Sequence, residues 1–119
     1  MIDRDEILRC FCLLSGFSPE EGQEYASFIE TAAADLEKRL RAGADDSDQR
    51  LCYAAAAAAY YRYCLMDATR QGGSTFKAGD VSVSRQSGEA IESARALRDD
   101  GVAAVSDLVS DTDFIMRTV

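Results

Sequence analysis

Six consecutive alanines, Ala54 to Ala59, lie inside a stretch from Leu51 to Met66 that carries one charge, Arg62. Alanine has the best helix propensity, and its small side chain lets neighbouring backbones approach closely. A helix apolar nearly all round belongs at the centre of a bundle, covered on several sides. The stretch is shorter than the ~18 to 20 residues a membrane span needs, and Tyr53, Tyr60, Tyr61 and Tyr63 interrupt it with hydroxyls. It reads as the core helix of a protein that meets no membrane. The N-terminus MIDRDEILRC is charged and lacks the apolar core of a signal peptide, so cytoplasmic synthesis is expected.

The remaining helices arrange themselves around this one. A first helix has Asp3 as its cap, with Glu6 as the reciprocal partner, an apolar face of Ile7, Leu8, Phe11 and Leu14, and a stop at Ser15-Gly16. A second starts at Ser18 with Pro19 at its first position and Glu20 and Glu21 in its first turn. Tyr25, Phe28, Ile29, Ala32, Ala33, Leu36 and Leu40 continue it at helical spacing until Gly43. The acidic run Asp45, Asp46, Ser47, Asp48 caps the alanine-rich third helix, which should fray at Gln71-Gly72-Gly73. Ser87 caps a last helix carrying Ala90, Ile91, Ala94, Leu97, Val102, Val105, Leu108 and Val109 on one side. At Asp99-Asp100-Gly101 the helix either continues with a costly Gly, straight or merely kinked, or breaks into two shorter pieces, which gives four or five helices in all; the continuous or kinked form is the one expected.

Between the third and last helices the period changes. Phe76, Val81 and Val83 nearly alternate with polar residues around Ala78-Gly79-Asp80, which predicts a β-hairpin or extended arm over 72–85. An isolated hairpin is marginal in water and needs a neighbour. The segment 111–119, DTDFIMRTV, places Phe114, Ile115 and Met116 in succession beside Arg117; it predicts an apolar tail that docks on something. The expected fold class is thus mainly α: one small helical domain over 1–119, with an arm and a docking tail.

Composition excludes several chemistries. The 119 residues contain no histidine, which removes the Ser-His-Asp triad, the Cys-His pair and any His-ligated metal. Cys10 and Cys12 point to different faces of a helix. Cys52 and Cys64 lie ~18 Å apart along one helix, too far for a disulfide. The four thiols read as small buried hydrophobes. The pairs Glu20/Glu21, Asp45/Asp46 and Asp99/Asp100 sit at helix ends, where capping and solvation explain them. Gly72-Gly73-Ser74-Thr75 lacks the phosphate-loop pattern. No cofactor, metal or enzymatic activity is expected. A net charge of −8 argues against tight binding to duplex DNA, which relies on cations that displace counterions. It turns the tyrosines toward core or interface packing.

The order of these elements, with LCYAAAAAAYYRY (Leu51 to Tyr63) and TFKAGDVSVS (Thr75 to Ser84), resembles the small head–tail connector, or adaptor, proteins of long-tailed bacteriophages and prophages. The resemblance implies a virion protein. Its partners would be further copies of itself in a ring, commonly twelve-fold, the portal protein above, and neck or tail proteins below, with DNA passing through the lumen. It implies that the arm, through Phe76, Lys77, Asp80, Val81 and Val83, reaches neighbouring subunits. It also implies that the tail, through Phe114, Ile115, Met116 and Arg117, docks on the portal. The charge and the helices alone fit a different expectation as well, a small acidic helical regulator or inhibitor that occupies a partner's groove.

Overall fold

A computed structural model describes residues 1–74 and 81–110, with side chains described at 1–69 and 88–110. The described residues are mainly helical. Five helices follow in order: α1 (Arg4–Ser15), α2 (Pro19–Gln23), α3 (Ala26–Arg39), α4 (Gln49–Ser74) and α5 (Val81–Ala104).

The alanine-rich α4 is the central element, with α1, α3 and α5 packed around it. Ala55, Ala56, Ala57 and Ala59 have no exposed surface, so this helix is enclosed on several sides as its sequence predicts. The main core joins Ile7 and Phe11 of α1, Ile29, Ala33 and Leu36 of α3, Leu51 of α4, and Val102, Val105 and Val109 at the end of the described chain. Truncating a fully buried Phe11 to alanine would remove ~3 to 5 kcal/mol.

The helix starts follow their caps. The Asp3 carboxylate accepts from the Asp5 and Glu6 amides. Glu6 does not complete the reciprocal box; its carboxylate accepts from Arg9 Nε at 2.9 Å instead. Gly16 closes α1 in the left-handed conformation, φ 79°, with its N–H on the Cys12 carbonyl at 2.8 Å. At α2 the capping box forms in full. Glu21 N donates to Ser18 Oγ, and Ser18 N donates to Glu21 Oε1. Asp48 accepts from the Arg50 amide at the head of α4.

Four expectations are corrected. The single helix expected from Ser18 to Gly43 is two helices, broken at Glu24 and Tyr25. The break lets the Tyr25 ring stack on Phe17 (5.5 Å between centroids) and on Phe28 (6.0 Å). The second piece stops at Arg39, not at Gly43, because Leu40 turns extended to form an antiparallel bridge with Val109. The last helix begins at Val81, ahead of Ser87; its continuation through Gly101 is as expected. There is no β-hairpin among the described residues: Gly72 to Ser74 end α4 and Val81 to Ser84 begin α5, all with helical backbone. Four alternating residues are too few to impose a strand, and a helix that packs along α4 carries the Val-Ser repeat with it. Residues 75–80 lie outside the described residues.

Candidate assembly surface

Helices α4 and α5, the two longest among the described residues, form an antiparallel pair. At ~1.5 Å per residue, the 26 residues of α4 run ~39 Å and the 24 of α5 run ~36 Å. Their inner halves share the core with α1 and α3. Farther out, a second small core of Tyr61, Cys64 and Ala94, flanked by Leu65 and Ile91, is built from α4 and α5. The extents of 55 × 30 × 17 Å and a radius of gyration of 15.1 Å record this elongation, against ~13.5 Å for a compact domain of this length.

The other end of the molecule is pinned. Arg41 N donates to the Leu108 carbonyl and Ser110 N to the Arg39 carbonyl, both at 2.8 Å. Arg50 reaches across from the start of α4. Its Nη1 donates to the Ala104 carbonyl at 2.8 Å, and it pairs with Asp107 and Asp48. A cation on the last carbonyls of α5 also complements the negative end of the helix dipole. Nearby, Arg4 joins α1 to α3 through Glu30 and Glu37, at 2.8 and 2.6 Å, while Glu37 also accepts from the Ile2 amide. Hydrogen bonds from Arg4 hold both carboxyls below their ordinary range. The terminal ammonium of Met1 pairs with Asp46.

Aromatic packing seals the junction between the two ends. Tyr63 meets Phe17 and Tyr25 edge-on, at 5.2 and 4.9 Å between centroids, and stacks with Tyr60. Tyr60, Tyr61 and Tyr63 of α4 thus pack into the core. Burial pushes the Tyr60 phenol up to about 12, aided by its hydrogen bond with Cys64. Burial likewise raises all four thiols, Cys10, Cys12, Cys52 and Cys64, and none is in a disulfide. A raised thiol is a poor nucleophile at neutral pH. Among the described residues no cluster of three or more Cys, Asp or Glu could hold a metal ion, and no helix is long and apolar enough to cross a membrane.

Of the residues singled out for the arm, Val81 and Val83 stand in the first turn of α5, and Phe76, Lys77 and Asp80 lie outside the described residues. So do Phe114, Ile115, Met116 and Arg117 of the tail. What the structure does fix is where these segments attach. Ser74 and Val81, the helix ends on either side of residues 75–80, stand at the far end of the helix pair. Ser110, the last described residue, stands at the pinned end, about a helix length (~36 Å) away.

Sequence reasoning missed two features. Leu13 is 72% exposed and lines a shallow apolar groove with Leu8, Cys12, Phe17 and Pro19. Arg98 is buried, and the sequence pattern, which puts Ala94 and Leu97 on the apolar side of this helix, does not single it out. Comparison with protein-family models, curated proteins and solved structures finds no match to this chain.

Proposed function

We propose that this protein is a structural component of a virion neck: a head–tail connector that forms a ring beneath the portal and lets DNA pass. The observation that carries the reading is the separation of the two attachment points. A segment with the sequence FKAGD joins the tips of a projecting helix pair, and a segment containing Phe114, Ile115 and Met116 leaves the opposite end. A subunit that must contact both its neighbours and a second ring needs adhesive segments on distant parts of one rigid body. A central helix of close-packed alanines supplies that rigidity. The resemblance of Leu51 to Tyr63 and Thr75 to Ser84 to phage adaptors points the same way.

In this reading the arm residues Phe76, Lys77, Asp80, Val81 and Val83 contact the adjacent subunit or the next neck ring, and Phe114, Ile115, Met116 and Arg117 dock on the portal. The protein resides at the head–tail junction of the particle after synthesis in the bacterial cytoplasm. The net charge of −8 suits a conduit that must not retain its DNA, since like charge lowers the dwell of phosphate on the wall.

Deleting Asp111 to Val119 tests this directly. The deleted protein is expected to keep its helical circular dichroism and lose co-sedimentation with portal. Undiminished attachment would remove the docking role from the tail.

A further inference from the structure

Leu13 and Met1 are the two large apolar side chains that stand exposed among the described residues. A single exposed leucine is ordinary, but Leu13 extends an apolar groove along α1 lined by Leu8, Cys12, Phe17 and Pro19. The groove offers about 360 Å³, at the lower end of the ~300 to 1,000 Å³ typical of binding clefts. A neighbouring cleft of about 390 Å³ shares Asp5 and Leu8 with it and continues between α1 and α3 past Ala26 and Ile29.

The surroundings of the groove are acidic. Residues 3–30 carry seven carboxylates and two arginines. Both arginines are already engaged, Arg4 by Glu30 and Glu37 and Arg9 by Glu6. Asp5 lines the groove, is exposed and enters no ion pair among the described residues. Glu20 and Glu24 stand one turn apart on α2, in the row next to Pro19 and Gln23, and are exposed as well. The occupant that suits such a groove is apolar, with a cation beside it.

Residues 114–117, FIMR, have that composition. They follow Ser110, whose N–H donates to the Arg39 carbonyl, while Arg41 N donates to the Leu108 carbonyl. The segment is therefore rooted at the cationic run Lys38, Arg39, Arg41, which offsets the charge of Asp111 and Asp113 at its start. This root lies at one end of α3 and the groove at the other. The 14 residues of α3 span ~21 Å, and Phe17 stacks on Tyr25 at the far end. Phe114 and Ile115, four and five residues beyond Ser110, extend ~14 to 18 Å at most. They fall short of Phe17 in their own chain; those of a second copy do not.

We infer that the groove beside Leu13 receives residues 114–117 of a second copy of this chain. Phe114, Ile115 and Met116 cover Leu13 and Phe17, and Arg117 meets the acidic side of the groove at Asp5. The contact is heterologous: one copy gives its tail and the next its groove, so the pairing repeats around a ring or along an open chain. The inference goes beyond the connector reading and does not rest on it. Where a portal is present, portal and groove compete for the same segment.

The test uses the full chain without portal, followed by sedimentation velocity over a roughly hundredfold range of concentration. Mean mass is expected to rise with concentration. Leu13→Ser removes the exposed leucine of the groove, and Ile115→Asp spoils the apolar centre of the tail. Each should weaken association about tenfold or more while helical circular dichroism stays unchanged. An equimolar mixture of the two variants should form a dimer and stop there, because one intact tail meets one intact groove. A synthetic peptide of residues 111–119 should dissolve the wild-type assembly. A wild-type chain that stays single at every concentration overturns the inference, and nuclear Overhauser contacts between Leu13 and Ile115 in that single chain would place the tail in its own groove instead. A Leu13→Ser variant that associates as tightly as wild type, or a mixture that stays single, overturns it too. With no portal in the sample, none of these outcomes bears on portal attachment, which co-sedimentation decides separately.

Discussion

Gly101 of α5 crosses Ala54 of α4 so closely that a Cβ added to the glycine would stand 3.1 Å from the Ala54 Cα. The same Cβ would meet two Tyr53 ring carbons at 3.4 Å. Glycine is a poor helix former, yet here it lets the two longest helices touch backbone to backbone. Ala54 is 1% exposed, on a helix held from other sides by α1 and α3, and has no room to yield.

Gly101→Ala is therefore expected to destabilise the protein. Overpacking of ~1 to 3 kcal/mol outweighs a helix-propensity gain of up to ~1 kcal/mol. Gly88→Ala is the control. Gly88 lies in the same helix with open space around it, so there the propensity term acts alone and stabilises by roughly 0.5 to 1 kcal/mol. Urea denaturation of the two variants should give midpoints shifted in opposite directions.

A second close approach joins α2 to α1. A Cβ on Gly22 would lie 2.6 Å from Cys12 Sγ and 3.0 Å from Leu8 Cδ1. Gly22→Ala should cost about 1 to 3 kcal/mol. Adding Cys12→Ala removes the nearer atom, so the double variant should recover much of the loss. The coupling read from a double-mutant cycle should be well outside the ~0.3 to 0.5 kcal/mol seen for independent sites.

Acid and alkali should each loosen the fold, for opposite reasons. Hydrogen bonds from Arg4 depress the Glu30 and Glu37 carboxyls, and those from Arg9 and Arg50 depress Glu6 and Asp48. A carboxyl depressed by folding contributes stability above its unfolded value, near 4.5 for glutamate, and loses it as pH falls through the folded value. Burial raises Tyr60 and the four thiols, so the fold favours their neutral forms. That contribution is complete below the unfolded values, near 9 for the thiols and 10 for the phenol, and fades as pH rises through the folded ones. Melting temperature against pH should fall below about 4.5 and again above about 9. Arg4→Met should flatten the acid limb while leaving the alkaline one in place.

Some of this architecture is written locally in the chain. Ser18 with Pro19 and Glu21 announces α2, Gly16 closes α1, and the alanine run marks the enclosed helix, because each acts through its own neighbours in sequence. The break at Tyr25 is not local. The helical spacing of apolar residues continues through it, and the rings that gather around Tyr25, those of Phe11, Phe17 and Tyr63, come from elsewhere in the chain. Leu40 keeps the same spacing but pairs with Val109, a partner far along the sequence. Arg98 escapes a sequence reading for the same reason, since the ring that shelters it belongs to α4. The Val-Ser alternation from Val81 to Ser84 misleads because two periods fit so short a run, and the packing of α5 along α4 selects the helical one.

The most direct measurement mixes the full chain with its portal protein and images the product by electron cryomicroscopy. The account predicts a closed ring of this chain seated on the portal, with the segment after Ser110 in contact with it and the tips of α4 and α5 directed elsewhere. Portal particles that emerge bare, with this chain left as a single subunit in solution, would contradict it.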